Sequence, residues 1–156
     1  KLAQISGKFI KFQGEAKYDG KNISGIQAAI YTNSINTDDE KRDGHLRSKD
    51  WFAVAQYPII EFTSPDAVEL KSNFTLKGNI KIKGIKKSID LEAKTITQND
   101  EKIVIEATTV INRTDFGLTW NKPLEEEVTL MGKIGKFAVD EEVTLTLTLV
   151  GEVITK

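Results

Sequence analysis

Histidine is the side chain best suited to moving protons near neutral pH, and this chain holds one, His45. Asp43 and Asp50 lie close enough in sequence to orient it, and Ser34 and Ser48 offer hydroxyls nearby. A general base needs a nucleophile or a substrate within reach, and neither serine sits in a nucleophile-elbow motif. A lone histidine beside Arg42 and Asp43 therefore reads as a structural hydrogen-bonding group, and no catalytic residue is assigned. The chain has no cysteine, which excludes disulfides, thiol nucleophiles and thiolate metal sites. A single histidine also excludes any metal centre that needs two.

Three further charged groupings have plain readings. Asn36, Asp38, Asp39, Glu40 and Asp43 form an acidic loop. Their spacing lacks the alternating ligands and the sixth-position glycine of a calcium loop, so a solvated loop is expected. Lys77, Lys81, Lys83, Lys86 and Lys87 make a basic stretch in which Lys77, Lys81 and Lys83 alternate with apolar residues. This is the pattern of an outward strand face guarded against aggregation. A phosphate-contacting patch is the other reading, but no aromatics interleave with it as in a nucleic-acid surface. Arg113 and Asp115 flank Thr114; on a strand they share a face and could ion-pair with Arg42 and Asp43.

The balance of residues narrows the class. At 156 residues, 39% apolar and 29% charged, the chain has the composition of a folded globular protein with a sizeable core. A net charge of −1 argues against a nucleic-acid partner and against steering to anionic membranes. No run approaches the roughly 18 apolar residues of a membrane-spanning helix, and no signal peptide is visible. The chain opens on Lys1 rather than Met, and its first residues already read as structure, which predicts sequence upstream.

Alternation with a period of two recurs along most of the chain and predicts strands over 23–32, 59–64, 74–82, 85–97, 102–112 and 143–149. Turn residues separate them, as in Tyr18-Asp19-Gly20, Ser64-Pro65-Asp66, Lys83-Gly84 and Asn99-Asp100. Ser48 is a candidate cap for a short helix over 48–55, ended before Pro58. Residues 124–131 fit either a short helix or a long loop. No linker or composition break appears, so residues 1–156 are read as one domain. The expected fold class is all-β. A meander of about eight antiparallel strands hides its edges by closing into a barrel, with room inside for side chains or one slender ligand. Pattern alone leaves open whether that interior is a dry core or a ligand channel.

Four blocks in order resemble the YceI-like family of lipocalin-like, polyisoprenoid-binding bacterial proteins. The first runs Ser34-Ile35-Asn36-Thr37, Arg42-Asp43-Gly44-His45-Leu46-Arg47-Ser48-Lys49-Asp50-Trp51-Phe52 and Tyr57-Pro58-Ile59-Ile60-Glu61-Phe62. The second is Gly78-Asn79-Ile80-Lys81-Ile82-Lys83-Gly84-Ile85-Lys86-Lys87. The third is Ile111-Asn112-Arg113-Thr114-Asp115-Phe116-Gly117-Leu118, and the fourth Val139-Asp140-Glu141-Glu142-Val143. The resemblance implies an extended eight-stranded antiparallel barrel around a hydrophobic pore that holds a polyisoprenoid, an isoprenoid quinone tail or a polyprenyl phosphate. It also implies a periplasmic or secreted protein, often a homodimer, that is no enzyme and carries no cofactor besides the lipid. Members of the family begin with a further strand, with a His-Ser step, that this chain lacks; without it the barrel would have an open seam. The motif residues Arg42, Asp43, His45, Asn112, Arg113, Asp115 and Gly117 look like fasteners of loops and strand ends.

The pore lining should then be apolar side chains on the inner faces. The expected set is Ile30, Phe52, Phe62, Phe74, Leu76, Ile80 and Ile82 from the first half of the chain. Ile89, Leu91, Ile105, Ile111, Leu145 and Leu147 complete it. The alternatives are a dry structural or protein-binding barrel, and an isoprenoid-modifying enzyme that uses His45.

Overall fold

The structure is a computed structural model that describes residues 6–119, 128–130, 133–135 and 141–153. Its strands in chain order are β1 (Lys8–Phe9), β2 (Phe12–Tyr18), β3 (Asn22–Tyr31), β4 (Ile35–Asn36), β5 (Ile59–Ser64) and β6 (Val68–Glu69). They continue with β7 (Asn73–Ile82), β8 (Ile85–Gln98), β9 (Lys102–Asn112), β10 (Val128–Leu130), β11 (Lys133–Gly135) and β12 (Glu142–Glu152). One α-helix, α1 (Glu40–Arg47), lies between β4 and β5, and short 3-10 turns cover Thr32–Ser34 and Arg113–Phe116.

The main sheet has eight strands, all antiparallel to their neighbours, in the order β12-β9-β8-β7-β5-β3-β2, with β6 pairing beside β3. Alternation decides which face turns inward. Phe62 lies opposite Ala28 on one side and Ile80 on the other, and Leu76 lies opposite Leu91. Their polar neighbours Glu61, Thr63, Lys77 and Lys81 point outward. The sheet curls far enough for Gln98 Nε2, at the end of β8, to donate to Tyr18 Oη, at the end of β2, at 3.0 Å. Among the described residues β2 and β12 do not pair with each other, so the sheet is a half-barrel and not a closed ring. Seven strands lie on the path from one edge to the other, so β2 and β12 run in the same direction across the gap.

The predicted strands appear within a few residues of their expected limits, but the helix does not lie over 48–55. Its cap is Asp39, whose Oδ1 accepts from Arg42 N at 3.0 Å, and it ends at Arg47. Ser48 closes that helix rather than opening another: Ser48 Oγ donates to His45 O at 2.6 Å. Residues 49–55 follow as turns, with Ala53 at φ 47. Acids in the first turn and His45 and Arg47 in the last match the helix dipole. Of the ambiguous stretch 124–131, Val128–Leu130 is a strand paired with Lys133–Gly135. The rest of that stretch lies outside the described residues, as do Lys1 and the opening of the fourth family block.

The cap gives a pH prediction. The bond from Arg42 N holds the Asp39 carboxyl below its usual range. A depressed carboxylate stabilises the fold at pH values above its unfolded pKa, about 4, and that stabilisation is lost as pH falls through the lower folded value. Asp39→Ala is therefore expected to melt earlier than the parent at pH 7, with the gap narrowing below about pH 4. Thermal melts of both proteins at pH 7 and pH 3 check it, and a gap that widens in acid would count against the cap.

Candidate functional site: an apolar inner face with two openings

Strand alternation places most of the predicted lining on one surface. Phe62, Leu76, Ile80, Ile82, Leu91, Ile105 and Ile111 are buried within one cluster. Ile30, Phe52, Phe74, Ile89, Leu145 and Leu147 are half-buried and pack against it. Phe52 alone among them comes from the turns after α1 rather than from a strand, and its ring meets Phe9 edge-on at 5.7 Å between centroids. Sequence reasoning missed Trp51, Phe116 and Leu118, which are buried in the same cluster. Alternation places Ile26, Ile60, Ala93, Ile103 and Ala107 on the same apolar strand faces, and these, with Ile23, join the cluster although the expected lining set omits them. The alternation carried the signal for the strand residues, whereas Trp51, Phe116 and Leu118 lie in turns where no periodicity marks them.

The motif residues close one end of this surface. The buried Arg113 lays its guanidinium 5.3 Å from the centre of the Trp51 ring, and its Nη1 donates to Leu118 O. Asn112 Oδ1 accepts from Thr114 N at 2.9 Å and from Thr114 Oγ1 at 2.6 Å, fixing the Arg113–Phe116 turn that Gly117 ends at φ 70. Arg113 thus begins a 3-10 turn and does not share a strand face with the exposed Asp115. No ion pair joins either residue to Arg42 or Asp43 among the described residues. Buried Asp43 accepts at Oδ1 from both Thr37 N and Thr37 Oγ1. Arg42 donates to Thr37 O at 2.7 Å and Thr37 Oγ1 at 2.8 Å. Arg47 donates to Asn33 O at 2.9 Å and Ile35 O at 3.1 Å. These bonds satisfy loop carbonyls that would otherwise be stranded, and they pin α1 to β4.

His45 is half-buried, with Nε2 3.7 Å from Asp50 Oδ2 and its ring edge-on to Trp51 at 6.4 Å. Neither candidate nucleophile serves it. Ser48 Oγ donates to the His45 carbonyl, not to its ring, and Ser34 Oγ donates to Tyr31 O at 2.6 Å. The acidic loop borders a half-open groove of about 530 Å³ against Ile10, Lys11 and Arg47, on the outside of the inner face. No cluster of three potential metal ligands occurs among the described residues.

Among the described residues the inner face is uncovered in two places. Along the gap between β2 and β12, Phe12 is 61% exposed and Val143, Leu145, Leu147 and Leu149 are only half-buried. The second opening lies within the sheet. The β8–β9 ladder runs from Gln98↔Ile103 to Glu92↔Thr108 and stops there. The segment 85–91 of β8 keeps β7 on one side and has no partner strand on the other among the described residues. Ile85, on the inward side of that segment, is 38% exposed.

A curled antiparallel half-barrel with a continuous apolar inner face, plugged at one end by a tryptophan and an arginine, defines a lipocalin-like protein. The chain belongs to the YceI-like domain family, whose pattern matches residues 1–151. Protein YceI of Salmonella paratyphi B is 34% identical over 135 residues, covering 81% of this chain and 71% of that protein. A UPF0312 protein of Yersinia enterocolitica is 32% identical over 135 residues, covering 81% and 70%. The fold matches the crystal structure of the Campylobacter jejuni YCEI protein with a TM-score of 0.81 at 20% identity, over 97% of this chain and 86% of that one. It also matches a polyisoprenoid-binding domain from Saccharophagus degradans, described as implicated in plant cell wall breakdown. That TM-score is 0.70 at 17% identity, over 95% and 85%.

Proposed function

We propose that the protein binds a long isoprenoid lipid, tail inward, along the apolar inner face, and that it stores, carries or sequesters this lipid in the periplasm or outside the cell. The observation that carries the reading is the continuity of that face. Apolar residues run from Trp51 at the plugged end to Phe74 and Tyr18 at the other, and the half-buried row of β12 leaves part of it uncovered. Each methylene taken out of water contributes about 0.8 kcal/mol. About ten buried carbons would thus supply on the order of 8 kcal/mol, within the range of the association cost of roughly 4–15 kcal/mol, and a longer tail exceeds its lower half. Such a site recognises length and bore rather than polar pattern. Chemistry on the lipid is not part of the proposal, because the two candidate serines, Ser34 and Ser48, donate to backbone carbonyls.

A dry barrel is the competing reading, and it has its own observation: Phe62, Leu76, Leu91 and Ile105 are almost free of solvent contact. Native mass spectrometry of the purified protein, followed by organic extraction, separates the two. A discrete added mass that extracts as an isoprenoid supports the carrier. Protein that arrives bare and takes up neither added quinone nor polyprenol supports the dry barrel. The double variant Leu145→Asn/Leu147→Asn alters half-buried positions on an edge strand. It is expected to lower lipid uptake by at least about tenfold, since a tail would leave those amides without partners.

A further inference from the structure

One charged residue lies on the inward register of the main sheet. Lys87 is directly opposite Ile80, which is buried on the inner face, so both side chains leave the sheet on that side. The other described inward positions of β2, β3, β5, β7, β8, β9 and β12 are apolar, glycine or uncharged polar residues. Lys87 also falls within segment 85–91, where β8 has lost its β9 partner, and it is exposed there. The nearby cations are already engaged. Lys83 Nζ donates to Gly117 O at 3.2 Å, and Arg113 is held by Leu118 O and the Trp51 ring. No hydrogen bond or ion pair occupies the Lys87 ammonium among the described residues. Lys86, one residue earlier, lies opposite Lys81 on the outer face.

An unpaired ammonium at the lip of an opening onto an apolar surface matches a molecule that is anionic at one end and apolar along the rest. We propose that Lys87 reads the head group of the bound lipid and selects an anionic head, a phosphate ester, over a neutral one. This rests on the lipid-binding reading and narrows its ligand class: the tail lies along the inner face and the phosphate stays at the split between β8 and β9. A compact, rotatable ammonium suits a phosphate in a partly solvated site, where water completes the remaining hydrogen bonds.

The test offers the folded protein equal amounts of undecaprenyl phosphate and undecaprenol, which share a tail and differ in head, and reads the retained lipid by native mass spectrometry. The parent is expected to favour the phosphate by about tenfold at low salt, with the preference shrinking as salt screens the exposed charge. Lys87→Gln should lose the preference while still retaining undecaprenol, and Lys87→Arg and Lys86→Gln should keep it. A parent that retains both lipids equally overturns the head-group assignment and leaves lipid binding standing. A parent that retains neither overturns both. Lys87→Gln protein that still prefers the phosphate, or that melts normally yet loses both lipids, overturns the role given to this residue.

Discussion

Phe62→Ala is expected to destabilise the fold by about 3–5 kcal/mol, the range for deleting a fully buried aromatic ring. For a domain of this size that lowers Tm by on the order of 10 °C. Phe62 is 0% exposed and sits on the interior strand β5, between Ala28 of β3 and Ile80 of β7. Its ring lies against Gly78, so its removal opens a void with backbone on one wall that cannot collapse into it. Thermal unfolding followed by circular dichroism reads the loss. A variant that melts with the parent would mean that the ring is not packed as described. A void of this kind is apolar, so an isoprenoid tail should raise the melting temperature of Phe62→Ala more than that of the parent.

The second large effect comes from the opposite change at the same contact. A methyl group on Gly78 would lie 2.4 Å from Thr63 O and 2.8 and 2.9 Å from Phe62 Cε2 and Cζ. The ring could turn aside, but the carbonyl belongs to the neighbouring strand β5 and moves only if the strands part. Gly78→Ala is therefore expected to cost about 3 kcal/mol, the upper end of the usual range for overpacking. The double variant Phe62→Ala/Gly78→Ala relieves the ring clash and keeps the carbonyl clash. Its loss should be smaller than the sum of the two single losses, yet larger than that of Phe62→Ala alone. Denaturant titration of the four proteins measures this, and additive losses would show that the two residues do not touch.

Fold and lining were legible in the sequence wherever side chains alternate cleanly. β7 is the clearest case: Phe74, Leu76, Ile80 and Ile82 face inward while Thr75, Lys77, Asn79 and Lys81 face out. β2 escaped because its inward positions hold Gly14 and its register shifts between Glu15 and Lys17, which leaves only Phe12 and Tyr18 to mark it. The helix was misplaced for a related reason. Its sequence, Glu40 to Arg47, has a glycine at its centre and a single large apolar residue, so no amphipathic stripe announces it. Its cap was visible as Asp39, but it was absorbed into the reading of an acidic loop. The plug was the least legible part. Trp51 and Arg113 are 62 positions apart, and no local rule predicts that a guanidinium will stack on that ring. The break in the β8–β9 ladder has only a faint signature, the polar run Lys86-Lys87-Ser88 in which the alternation of β8 lapses.

The two edges of the half-barrel, unpaired among the described residues, should make this protein sensitive to its own concentration. From Val143 to Val150, β12 carries eight residues without a charge, a proline or a bulge, and its far side has no partner among the described residues. Such an edge is a template on which another chain can add a strand. If two β12 edges met antiparallel and centred on Leu147, Glu142 of each would face Glu152 of the other, and four carboxylates would oppose the union. The acids at either end of the strand would thus act as gatekeepers, and their protection weakens in high salt, when aggregation should begin.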